Sequence, residues 1–115
     1  MLSVFVFFIL YDAIFFWVNQ TFLNKTIKKV QQAPVRVQPI GAVICYIALT
    51  TLMYLTLDWN YSKTFLFGAC IYAVYEGTNY AIFQHWPLAM VILDTIWGGI
   101  LFVLVKASYR TLYKS

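Results

Sequence analysis

Four long apolar runs dominate this chain, and they leave few folds open to it. They cover about Leu2 to Leu23, Ile40 to Leu57, Thr64 to Gln84 and Pro87 to Val105. Each comes close to the roughly 20 residues that carry a helix across the hydrocarbon of a bilayer. Backbone amides in lipid must find partners within the membrane segment, which allows only helices or a closed barrel. A barrel needs short strands of alternating polarity, and the runs do not alternate. Composition points the same way. Of 115 residues, 63% are hydrophobic and 10% charged, against the roughly 25% charged residues usual in a soluble domain. The expected fold is an all-α membrane protein, a bundle of four transmembrane helices. Residues 1–115 form a single integral, multi-pass membrane domain with the lipid bilayer as its surroundings.

The connections shape the bundle. Residues 24–38 read as a basic loop holding Lys25, Lys28, Lys29 and Arg36, with Pro34 and Pro39 breaking any continuous helix. Pro39 also suits the start of the second helix. Asp58 to Lys63 is short, and the last connection is little more than His85 and Trp86 before Pro87. So brief a link makes helices three and four a tight antiparallel hairpin. Trp59, Tyr61, Trp86, Tyr109 and Tyr113 fall near run ends, at headgroup level. No basic segment precedes the first run and no small-residue cleavage pattern follows it, so it reads as a retained helix. Four spans put Lys63, Lys106, Arg110 and Lys114 on one face and Lys25, Lys28, Lys29 and Arg36 on the other, four against four. The positive-inside rule does not break that tie. A single fixed topology is expected, with Lys106 near the interface and able to snorkel outward.

Several function classes lose support. The net charge of +4 lies outside the apolar runs and suits anionic headgroups better than nucleic acid, for which no basic strip with interleaved aromatics exists. Cys45 and Cys70 fit no metal or redox spacing and read as small hydrophobes in helix interfaces. The sequons at Asn19, Asn24 and Asn60 lie against membrane ends and read as chance matches. His85 has no companion ligand and reads as an interfacial polar residue. With no nucleophile–base constellation, phosphate loop or metal motif, neither an enzyme nor a bound cofactor is expected.

The residues that carry chemistry are Asp12, Glu76 and Asp94. Acids inside membrane spans are costly and default to a functional hypothesis. At about 1.5 Å per residue, Asp12 lies about 15 Å into the first span and Glu76 about 18 Å into the third. Glu76 precedes His85 by nine residues and Asp94 follows it by nine, so the hairpin sets them at matching depth. No Lys or Arg inside the spans neutralises the three. Some are therefore expected to be protonated, to share a proton, or to hold a cation. Tyr72, Tyr75, Glu76, Asn79 and Phe83 share a helix face at three- and four-residue steps. Asp94, Trp97, Gly98 and Leu101 do the same on the fourth helix, with Gly98 opposite Tyr72 and leaving room for its ring. The expected proton or cation site is Asp12, Glu76, Asn79 and Asp94, supported by Tyr72, Tyr75, Thr78 and Trp97. A stripe of small residues, Ala69, Ala73, Gly77 and Ala81, reads as a packing groove, together with Gly98.

The second half resembles a known pattern. Tyr72, Tyr75, Glu76, Thr78, Asn79 and Ala81, then Trp86-Pro87, then Asp94-x-x-Trp97-Gly98, are similar to the predicted membrane proteins grouped as domain-of-unknown-function family 2177. These are small four-span proteins of bacteria, with relatives in some large DNA viruses. The family carries Asp where this chain has Glu76, and Trp where it has Phe15, three residues after Asp12. The resemblance implies a fold and important positions and supplies no reaction.

Two functions follow as expectations. One is a proton- or cation-binding protein, transporter-like or channel-like, acting as a homo-oligomer because so few helices enclose little on their own. The other is a structural membrane protein, such as a virion membrane component within a larger assembly. Its contacts would be the basic loop and the tail from Lys106 to Ser115.

Overall fold

In the computed structural model, residues 2–31 and 39–113 are described. Among them are five helices and no strand: α1 (Leu2–Val18), α2 (Gln20–Gln31), α3 (Pro39–Leu55), α4 (Tyr61–Ile82) and α5 (Leu88–Leu112). Pro34, Arg36 and Lys114, counted in the loop and tail above, lie outside the described residues.

The hairpin of the last two apolar runs is the principal unit. α4 starts at Asn60, whose side chain caps it by accepting from the Lys63 amide at 2.8 Å. That satisfies one of the orphan donors of a helix start, and it gives the third sequon asparagine a structural task. After Ile82 the chain turns through His85, which has φ 66°. Histidine is among the few residues other than glycine that enter the left-handed region with any frequency. Helices α4 and α5 then run against each other where Gly68 meets Gly98. A Cβ on Gly98 would collide with the Tyr72 ring and the Gly68 carbonyl oxygen. Gly99 makes similar room for the Phe65 ring.

The small-residue stripe is not this contact. Gly77 is exposed and nothing lies within 4 Å of the space its Cβ would fill. Ala81 is exposed too, while Ala69 and Ala73 are half-buried. The four-residue repeat is real, but it faces away from α5. The inner face of α4 is instead Thr64, Gly68, Glu76 and Asn79.

The first helical run is shorter than expected and sharply bent. α1 ends at Val18, and α2 leaves it at 81°. At the joint the Asn19 side-chain amide and the Asn19 backbone N–H both donate to the Phe15 carbonyl at 3.0 Å, and the Asn19 carbonyl accepts from Leu23. A side chain that intrudes on the carbonyl ladder is a recognised cause of kinks. Residues 20–31, of which 24–31 are expected from the sequence to be loop, continue as helix. Phe22, Leu23, Thr26 and Ile27 turn inward, and Asn24, Lys25, Lys28 and Lys29 turn outward. Such a basic amphipathic helix is suited to lie along a membrane surface.

The core packs α1 and α3 against the hairpin through Val4, Phe8, Leu49, Met53, Leu101, Phe102 and Val105. Phe102 is its hub, edge-on to Phe8 at 5.2 Å and to Phe67 at 5.9 Å. Much of the outer surface is apolar. Ile92, Ile96, Ile100 and Leu104 line the outside of α5, and Val6, Leu10, Ile14 and Trp17 that of α1. By length and composition, α5 is the one described helix able to cross a bilayer by itself, and α1 with α2 would make a second span if the bent pair is one. α3 is apolar but has only 17 residues, at the short end for spanning. α4 has 22 residues, with Glu76 and Asn79 buried among them.

Candidate functional site

Two polar centres lie inside this apolar shell. The first gathers the acids. Glu76 is 2% exposed and sits on the inner face of α4. The indole nitrogen of Trp86 donates to its Oε1 at 2.9 Å. Trp86 can do so because the turn folds its ring back over the end of α4, beside Phe83. Asp94, on α5, lines the same cavity as Glu76. Two ionised carboxylates offer no donor between them, so any hydrogen bond between these two needs one proton.

Asp12 is held separately. Its Oδ2 accepts from the Tyr46 hydroxyl of α3 at 2.5 Å, and its Oδ1 from the Trp97 indole of α5 at 3.0 Å. The Phe15 ring stacks on Trp97 at 4.4 Å and 9°, one turn beyond Asp12. Asp12 is thus fixed by two neutral donors, and Glu76 by one. Among the described residues no three acids, histidines or cysteines come together as metal ligands.

All three acids nevertheless line one partly open cavity of about 470 Å³. Tyr72, Tyr75 and Trp86 line it from the hairpin, Phe15 and Phe16 from α1, and Leu23 and Ile27 from α2. Other expected site residues stand elsewhere. Asn79 is buried but does not line the cavity. Thr78 is exposed and donates back to the Val74 carbonyl at 2.6 Å. Tyr46 and Trp86, which bond the acids directly, are not among the site residues expected from the sequence. Tyr46 lies in a run with no acid to draw notice to it. Trp86 reads as an interfacial anchor, and only the turn brings it over Glu76. Cys45 and Cys70, expected in interfaces, are both exposed, and Cys45 lies at the cavity.

The second centre corrects the expectation for Lys106. It does not snorkel outward but is 0% exposed. Its ammonium donates to the Thr56 carbonyl at 3.0 Å, to the Thr64 hydroxyl at 2.6 Å, and to the Trp59 carbonyl. Arg110, one turn on, donates to the Leu57 carbonyl at 2.9 Å. The two cations thus cap the carbonyl end of α3, where unpaired acceptors and the helix dipole favour positive charge. Neither Lys106 nor Arg110 lines the acid-bearing cavity.

Comparison with known proteins is brief. No curated protein and no solved structure matches the chain. A family model described as a predicted membrane protein, DUF2177, matches residues 1–109. With nearly the whole length matched, the chain belongs to the DUF2177 family of predicted membrane proteins.

Proposed function

We propose that this is a four-span membrane protein whose interior carboxyl pair binds and exchanges a proton or a monovalent cation. The spans are α1, α3, α4 and α5, with α2 at the surface. The apolar outer faces of α1 and α5 and the inward polar residues of α4 support this inside-out arrangement. The 17-residue helices α1 and α3 are each about 25 Å long, so the bilayer thins around them or flanking residues reach the interface.

One observation carries the functional reading. Glu76 and Asp94 line one cavity that, among the described residues, no Lys, Arg or His lines. A buried acid pair without a counter-ion holds one proton between its members or a cation in its place. Asp12 adds a third carboxyl to the cavity, its orientation fixed by Tyr46 and Trp97.

Infrared difference spectra of the reconstituted protein across pH test this. A protonated-carboxyl band that disappears on alkalinisation, and is lost in Glu76→Gln with Asp94→Asn, is the expected result. The double variant should also abolish pH-dependent ion flux in liposomes. Carboxylates already ionised at pH 7 in cation-free buffer would overturn the proposal. If the pair only holds the bundle together, the amide variants keep both fold and flux.

A further inference from the structure

The cavity is far larger than a proton or a bare ion fills. Its volume of about 470 Å³ falls within the roughly 300–1,000 Å³ typical of sites for small organic molecules. Its walls are mainly rings and aliphatic side chains, among them Phe15, Phe16, Tyr72, Tyr75, Trp86 and Met90. An inorganic cation would have to exchange its water for these walls, and the described residues offer it no three-ligand group. An organic cation faces no such loss. Its apolar body gains from leaving water, ring faces attract its charge, and a carboxylate neutralises it.

We infer that the cavity binds an amphiphilic organic cation, one positive charge on an aromatic or bulky apolar body, with the charge at Glu76 and Asp94 and the body against Phe15, Phe16 and Trp86. The inference rests on the proposed exchange of a proton at that pair. The entering cation displaces the shared proton, which leaves to water, so the charge in the site is unchanged. The amphipathic α2 closes one side with Leu23 and Ile27, and a ligand dissolved in the membrane interface can reach the cavity without passing through bulk water.

Tetraphenylphosphonium is a suitable probe because it is a permanent cation, and tetraphenylborate is an anion of the same shape. With the full chain in nanodiscs, tetraphenylphosphonium should quench tryptophan fluorescence saturably beyond the signal from empty nanodiscs. Its apparent affinity should fall about tenfold per pH unit below the titration of the pair, as one-for-one exchange requires. Glu76→Gln should weaken binding by about tenfold or more, since it removes a charge while the amide oxygen can still accept from Trp86. Tetraphenylborate should neither bind saturably nor compete, and this comparison needs no variant to fold. Equal binding of the two probes, or no saturable binding of tetraphenylphosphonium, would overturn the inference. If neither probe binds while the carboxyl band still titrates, the organic cation is wrong and the proton site stands. If the band is also absent, both fall.

Discussion

Lys106 shows how much one side chain can change in passing from sequence to structure. Near the end of an apolar run, a lysine has a long stem and an interface within reach, and snorkelling is its ordinary course. Here the ammonium turns inward because the α3–α4 connection presents the Trp59 carbonyl, together with the Thr56 carbonyl that also accepts from the Trp59 amide. The acceptors and the cation satisfy each other where water is scarce. Lys106→Met keeps the stem and removes all three donors. We expect it to lower stability by about 1–3 kcal/mol, the cost of leaving buried acceptors unpaired. A chemical-denaturation midpoint in detergent measures this, and an unchanged midpoint would mean the ammonium lies in water after all. The acids show the opposite case. Their number and hairpin register are plain in the sequence, and all three line one cavity. Their donors are not plain, because Tyr46 and Trp86 reach them only through the packing of α3 and the fold of the turn.

At the scale of elements, the expected helix pattern holds where apolar length decides it and fails where side chains compete with the backbone. Pro39 opens α3, and the short link through His85 makes the hairpin. The bend at Asn19 is hidden in the sequence because residues 2–23 form one apolar run, and hydropathy does not register the additional bond from the Asn19 side-chain amide to the Phe15 carbonyl. The small-residue stripe misleads for another reason. A four-residue repeat marks a groove without saying which neighbour fills it, and the inner row of α4 is instead Thr64, Gly68, Tyr72 and Glu76, small only at its start. Gly68 lies on the inner row and Gly77 on the outer. The two rows separate by mutation. Gly98→Leu should drive a side chain into Tyr72 and the Gly68 carbonyl and destabilise the hairpin by at least the roughly 1–3 kcal/mol typical of overpacking. Gly77→Leu meets open space and should leave the unfolding midpoint of the monomer in detergent unchanged. The reverse order of sensitivity would place the helix contact on the outer row.

For the whole molecule, the inward turn of Lys106 also bears on orientation. The sequence places four basic residues against four, and the positive-inside rule counts those near the membrane surface. A lysine enclosed by carbonyls no longer belongs to the surface count, which leaves Lys63, Arg110 and Lys114 facing Lys25, Lys28, Lys29 and Arg36. The advantage in number is a single charge, but its placement adds to it. Lys25, Lys28 and Lys29 all point outward from one amphipathic helix, where anionic lipid attracts each by about 1 kcal/mol. The face bearing α2 and the His85 turn should therefore be cytoplasmic, with the α3–α4 connection on the opposite side. Single cysteines at the exposed positions Ser62 and Gln84, in a chain with Cys45 and Cys70 replaced, test this directly. A membrane-impermeant maleimide applied to intact cells should label Ser62→Cys, and should label Gln84→Cys only after permeabilisation. Labelling of both from outside would show dual insertion, and the inverse pattern would mean that factors other than these lysines set the topology.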